Sequence, residues 1–168
     1  MASITNVKLG PCDVTFGSDN LGHTKGGVTV TYEPEYYDIT VDKYGNTIAE
    51  KVLIGESLKV TVPMAETTIA NLAIAIPGGT DGTTKLTLGK DAGERMLQYA
   101  NILVLHPTAN EASDRSEDVV IYKAIVAEQV ELKYIVDGER VAEVVFHALI
   151  DETKLDGSRL GLIGDSTT

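Results

Sequence analysis

Apolar and polar residues alternate through most of this chain with a period of two. Val28, Val30 and Tyr32 alternate with Gly27, Thr29 and Thr31, and Ile39 and Val41 alternate with Asp38, Thr40 and Asp42. Further on, Leu58, Val60 and Val62 alternate with Ser57, Lys59 and Thr61. That period places one face of a strand against a core and the other in water. One segment breaks the rule. Ala65, Ile69, Leu72 and Ile76 recur at i, i+4, i+7 and i+11, which predicts an amphipathic helix with those four on its core face. Pro63 stands where a first helical turn tolerates proline, and Pro77-Gly78-Gly79 stops the helix.

Strand signals continue on both sides of this region. Asp13 to Phe16 and Lys85 to Leu88 read as short strands, and Ile102-Leu103-Val104-Leu105 as a fully buried one ended by His106-Pro107. A polar, acidic loop, Thr108 to Asp118, leads into Val119-Val120-Ile121-Tyr122. Val130, Leu132, Tyr134 and Val136 then alternate with Glu131, Lys133 and Ile135 up to Asp137-Gly138, a hairpin signal. The return strand puts Ala142, Val144, Phe146, Ala148 and Ile150 on one face, and Leu160 to Ile163 is a further short strand. Roughly seven to nine strands and one helix predict an all-β fold, a sandwich or partly open barrel with the helix on one flank.

The 168 residues suit a single domain spanning 1–168. Residues 1–26 are polar and turn-rich, and read as a loose N-terminal arm. Residues 151–168 read as a C-terminal tail. Between them, 42–55 is longer than a simple hairpin needs and is expected to be a long inter-strand loop around the Gly45-Asn46 turn signal.

Composition narrows the function more by exclusion than by pointing. With no Trp and two Phe, the core must be built from Val, Ile, Leu and Ala, which suits strands. Cys12 is the only cysteine, so no disulfide can form within the chain. There is no apolar run of about 18 residues to span a membrane. Met1 to Asn6 lacks a signal-peptide layout, so a protein made and kept in solution inside a cell is expected. The formal charge of −11 repels nucleic acid, and Lys8, Lys25, Lys43, Lys51 and Lys59 are spaced singly rather than clustered.

Candidate chemistry is sparse. His23, His106 and His147 are scattered and lack metal-ligand spacing, and each is expected at the surface. Gly89-Lys90-Asp91 lacks the upstream glycine and hydroxyl of a phosphate loop. Glu33 and Glu35 share one strand face, as do Asp38 and Asp42, and paired carboxylates can hydrolyse glycosides. Such a pair needs a cleft walled by aromatics, in which this chain is poor. No enzyme activity, metal or cofactor is expected.

The order strand, loop, strand, helix, with these residues in it, resembles the tail tube (major tail) protein of long-tailed bacteriophages. The resembling segments are Tyr32 to Val41, Leu58 to Pro63, Ala65 to Ala73, Val144 to Asp151 and Gly161 to Asp165. The resemblance implies six-membered rings stacked into a virion tube, a negatively charged conduit through which DNA is ejected without specific binding. It implies as partners the chain itself, a tape-measure protein, and tail initiation and terminator proteins, with no membrane anchor. By the same resemblance the inter-ring grip falls to Asp42, Lys43, Tyr44, Gly45, Asn46, Thr47 and Ile48, together with Val52 and Leu53. Two other readings are kept: the tube protein of a contractile injection or type VI secretion system, and a monomeric β-sandwich that binds carbohydrate. The latter would need an exposed aromatic platform, for which Tyr36, Tyr37 and Tyr44 are the candidates.

Overall fold

The computed structural model describes residues 4, 8, 10–82 and 84–165, with the backbone alone for 80–82. Eleven strands are found among them: β1 (Cys12–Phe16), β2 (Asp19–Asn20), β3 (Thr29–Thr40), β4 (Ile48–Met64), β5 (Thr80–Gly82), β6 (Lys85–Thr87), β7 (Asn101–Pro107), β8 (Val119–Val126), β9 (Glu131–Leu132), β10 (Ala142–Ala148) and β11 (Gly161–Ile163). One α-helix, α1 (Ile69–Ala75), follows β4. The fold is all-β with a flanking helix, as the alternation predicts.

The main sheet is antiparallel and runs β2-β1-β7-β8-β10-β4-β3, with β11 added to β8 and β9 to β10; β5 and β6 form a separate pair. The sheet curls back on itself. Thr24, just past β2, bridges to Met64 at the end of β4, through Lys25 N–H to the Pro63 carbonyl (2.9 Å) and Ala65 N–H to the His23 carbonyl (2.8 Å). Inside the curl lie Val14, Leu21, Val60, Val62, Met64, Leu103, Leu105, Ile121, Val144 and Phe146. All are aliphatic except Met64 and Phe146, as a chain without Trp requires.

Several expectations are corrected. Pro63 is a strand residue paired with Glu143, not a helix start. Its carbonyl, and hence its missing N–H, faces the segment that precedes β3, outside the β3/β4 ladder that begins at Thr29↔Thr61. The helix starts only at Ile69, because the Thr68 hydroxyl accepts from Asn71 N–H (3.2 Å) and caps it. Its buried residues are Asn71 and Ala75, with Ile74 and Ile76 packed against the core. Of the predicted core face only Ile76 joins that packing, at the helix end; Ala65 precedes the helix, and Ile69 and Leu72 are half-buried. Asn71 takes the inward place because its side-chain amide donates to the carbonyls of Leu21 (3.2 Å) and Glu66 (2.9 Å), so its burial leaves no orphan donor.

The run Ile102 to Leu105 is not fully buried: Leu103 and Leu105 face the core, while Ile102 is exposed and Val104 half-buried. The Asp137-Gly138 hairpin is also absent, since pairing stops after Leu132 and the chain loops through 133–141. Gly138 does not adopt the positive φ that a tight two-residue turn of that type requires. Both end segments contain the short strand expected in them, β1 near the start and β11 after the turns and exposed loop of 151–160. β1 pairs along its whole length with β7, and Leu21 is fully buried. The C-terminal segment returns as β11 on β8, and Asp151 is buried beside Lys123 (3.0 Å). Residues 1–3, 5–7, 9 and 166–168 of the expected arms lie outside the described residues.

Candidate functional site

β3 and β4 are twelve and seventeen residues long, well beyond an ordinary strand of about five or six. They pair from Thr29↔Thr61 to Thr40↔Ile48. On its other edge β4 is held by β10 only from Lys59 to Met64. From Ile48 to Leu58 its sole partner strand is β3, so a two-stranded ribbon of roughly 35 Å leaves the body of the sheet. The expected long loop at 42–55 is therefore mostly strand. Alternation was hidden there because the register shifts twice, between Glu35 and Tyr36 and between Ile39 and Thr40, leaving Ile54 and Ala49 as the extra residues.

The tip is small. Asp42–Tyr44 form a single 3-10 turn, with Tyr44 N–H donating to the Val41 carbonyl (2.9 Å). Gly45 has φ 62° and ψ −133°, a conformation that its lack of a Cβ permits. Lys43 Nζ stands 5.6 Å from the centre of the Tyr44 ring. Gly45, Asn46 and Thr47 complete the turn, and Thr47 N–H reaches the Tyr44 carbonyl at 3.3 Å. Ile48, Val52 and Leu53 belong to β4, opposite Thr40, Tyr37 and Tyr36 respectively.

The surface of the ribbon is what sets it apart. Tyr36, Tyr37, Val41, Tyr44, Ile48, Val52, Leu53 and Ile54 are all exposed, and Ile54 at the first bulge is 59% so. On the core-side face Tyr36 opposes Leu53, and on the other face Tyr37 opposes Val52. Both faces thus carry exposed apolar side chains among the described residues. Contiguous exposed apolar surface of this kind marks an interaction site in a soluble protein.

Nearer the body the outward face of the same sheet is polar. Opposite the core residues Val60 and Val62, it presents Thr29, Thr31, Glu33, Glu35, Ser57, Lys59 and Thr61. Lys59 lies between Glu33 (3.6 Å) and Glu128 (3.9 Å), and Glu128 also meets His147 Nε2 at 2.8 Å. His147 is therefore half-buried and paired rather than free at the surface. At the rim of the ribbon, the Tyr32 hydroxyl donates to Glu56 (2.7 Å), and that carboxylate pushes the phenol's pKa up. Between this edge and β11 lies a cleft of about 450 Å³ lined by Leu58, Val119, Ile150 and Leu162.

Sequence reading missed one buried polar cluster. His106 Nδ1 and Asp118 Oδ1 are 2.6 Å apart, and Arg115 Nη1 donates to Asp118 Oδ2 at 3.0 Å. Asp118 is fully buried, and the Gly164 N–H donates to its carbonyl (2.8 Å), which ties the chain's last described turn to the start of β8. No local spacing signals this pairing, since residues twelve apart meet only because β7 and β8 pair. Among the described residues no nucleophile is bonded to the cluster, and no three of His, Cys, Asp and Glu gather as metal ligands. Glu33 and Glu35 do share a face, but it is an open sheet surface rather than a cleft; Asp38 pairs with Lys51, while Asp42 opens the tip turn.

No protein-family model matches this sequence, and no curated protein is similar enough to indicate a relative.

Proposed function

We propose that this chain is a structural protein that assembles with copies of itself into stacked rings forming a tube, the tail tube of a long-tailed phage. The observation that carries the reading is the β3/β4 ribbon, with apolar side chains exposed on both faces and left uncovered by the described residues. A bare two-stranded ribbon is marginal in water. One of this length and apolarity is accounted for by a second surface that covers it.

Two further features support the same reading. β3 ends the sheet, so its outer edge offers unpaired N–H and C=O groups to a neighbouring strand. Head-to-tail pairing of that kind closes into a ring when the rotation allows. The polar face bearing Glu33, Glu35 and the three threonines suits the wall of a bore, where carboxylates would keep DNA phosphates from adhering. In this reading the protein works without catalysis or cofactor. Its partners are its own copies, a tape-measure protein and the initiation and terminator proteins of the tail, and its place is the virion.

The test is negative-stain electron microscopy of the purified chain at high concentration across a salt series. Rings or hollow tubes are expected. Deleting Tyr44 to Ile48 should keep the circular-dichroism spectrum of the folded sheet and abolish tubes. Monomers at every concentration that bind glycans would overturn the reading in favour of a carbohydrate-binding module.

A further inference from the structure

The ribbon is not the only exposed apolar feature. In the loop 133–141, between β9 and β10, Tyr134, Ile135 and Val136 are 72%, 60% and 99% exposed. Three consecutive exposed apolar residues are unusual for a loop, where polar residues are the rule. The loop is nevertheless organised. Arg140 stacks over Tyr134 with its guanidinium carbon 4.2 Å from the ring centre, and Ile135 folds over Gly138, where a side chain would collide with it. Beside the loop is a cleft of about 650 Å³ lined by Lys25, Pro63, Ile135 and Val141 among others.

The placement of this loop gives it meaning. β9 and β10 pair through Leu132↔Ala142, and Ala142 pairs in turn with Met64, the last residue of β4. The ribbon tip, residues 42–47, leads directly into Ile48, the first residue of β4. The two apolar features therefore sit at opposite ends of one seventeen-residue strand, roughly 50 Å apart. They cannot cover each other within one chain, but they can between two copies placed end to end.

We propose that the 133–141 loop and its cleft receive the β3/β4 ribbon of a second copy stacked along the β4 axis. The proposal rests on the tube reading and names the surface that the ribbon grips. Charge favours this occupant. Arg140 has no carboxylate partner among the described residues, while Asp42 and Glu50 near the ribbon tip have no cationic one. Both ends carry both signs, Asp42, Glu50 and Lys43 at the ribbon and Arg140 and Asp137 at the loop, so pairs of opposite sign can form in both directions beside exposed Leu53, Ile54, Ile135 and Val136. Because the contact joins unlike ends, it repeats without limit, as a growing tube requires.

The test uses the full chain with Cys12→Ser as background. One preparation carries Ile54→Cys and a second carries Val136→Cys; they are mixed under assembling conditions and treated with a short bismaleimide. Covalent mixed dimers should exceed those from either preparation alone by at least about tenfold, and microscopy of the same samples should show tubes. A third variant, Val136→Asp, changes a side chain that is 99% exposed, so the fold should persist while tubes give way to separate rings. Tubes without mixed dimers, or tubes of parental length from Val136→Asp, would overturn this contact and leave the tube reading standing. Failure of the Cys12→Ser parent to assemble at all would overturn both.

Discussion

The rings of Phe16 and Phe146 lie 5.2 Å apart at an interplanar angle of 38°, although β7 and β8 stand between their strands in the sheet. They can meet only because the sheet curls over its own core. Phe146 is fully buried, so its removal leaves a void that the surrounding aliphatic residues cannot collapse to fill. Phe146→Ala should cost about 3–5 kcal/mol, measured by urea unfolding. A loss under about 1 kcal/mol would mean that the curl closes without this contact.

The docking of β11 depends on a missing side chain. A Cβ on Gly161 would collide with the Val120 carbonyl oxygen, which is backbone and cannot swing aside. Gly161→Ala should therefore destabilise by about 1–3 kcal/mol. Amide hydrogen exchange should speed up in Gly161–Ile163 and at Asp118 to Ile121, with less change in β10 and β4. A uniform change across the sheet would place the defect elsewhere.

Asp118 is a buried carboxylate held by His106 and Arg115. Asp118 alone of the three is fully buried and Arg115 stays 39% exposed, so removing the carboxylate chiefly leaves the half-buried His106 without its hydrogen-bond partner, at a cost of about 1–3 kcal/mol. Asp118→Ala should show that loss in thermal or chemical unfolding. Asp118→Asn keeps an acceptor for one neighbour and should lose less. Equal losses would indicate that charge, not hydrogen bonding, holds the cluster.

Asp151 anchors the turn that precedes β11. Its carboxylate accepts from Lys123 first and from Thr153 second, and these hold its pKa below the usual carboxylate value. A group with a depressed folded pKa stabilises the fold above its unfolded pKa of about 3.9 and loses that contribution as pH falls through the lower folded value. Stability of the wild type should fall below about pH 4, and Asp151→Asn should flatten part of that fall. An unchanged acid limb in the variant would remove Asp151 from the account.

Much of this fold is written locally. The period-two alternation marks β1, the start of β3, the end of β4, and β10, because in a one-sided strand burial and sequence share a period. The helix was legible too, but not its orientation. Periodicity counts apolar residues, whereas Asn71 faces inward on the strength of carbonyls supplied by Leu21 and Glu66.

The ribbon was only half legible. Its apolar residues, Ile48, Val52, Leu53 and Ile54, stand in the sequence, but their alternation is broken by bulges and neither face points to a core. A two-faced exposed ribbon gives the pattern of a loop. The sequence by itself determined a β-rich, acidic, aromatic-poor chain in which no catalytic motif stands out. Only the tertiary structure decided that β4 outruns β10, that His106 meets Asp118, and that the exposed apolar residues fall at opposite ends of one strand. Those outcomes depend on register and on where neighbouring strands stop, which are properties of pairs of strands and are carried by no single segment.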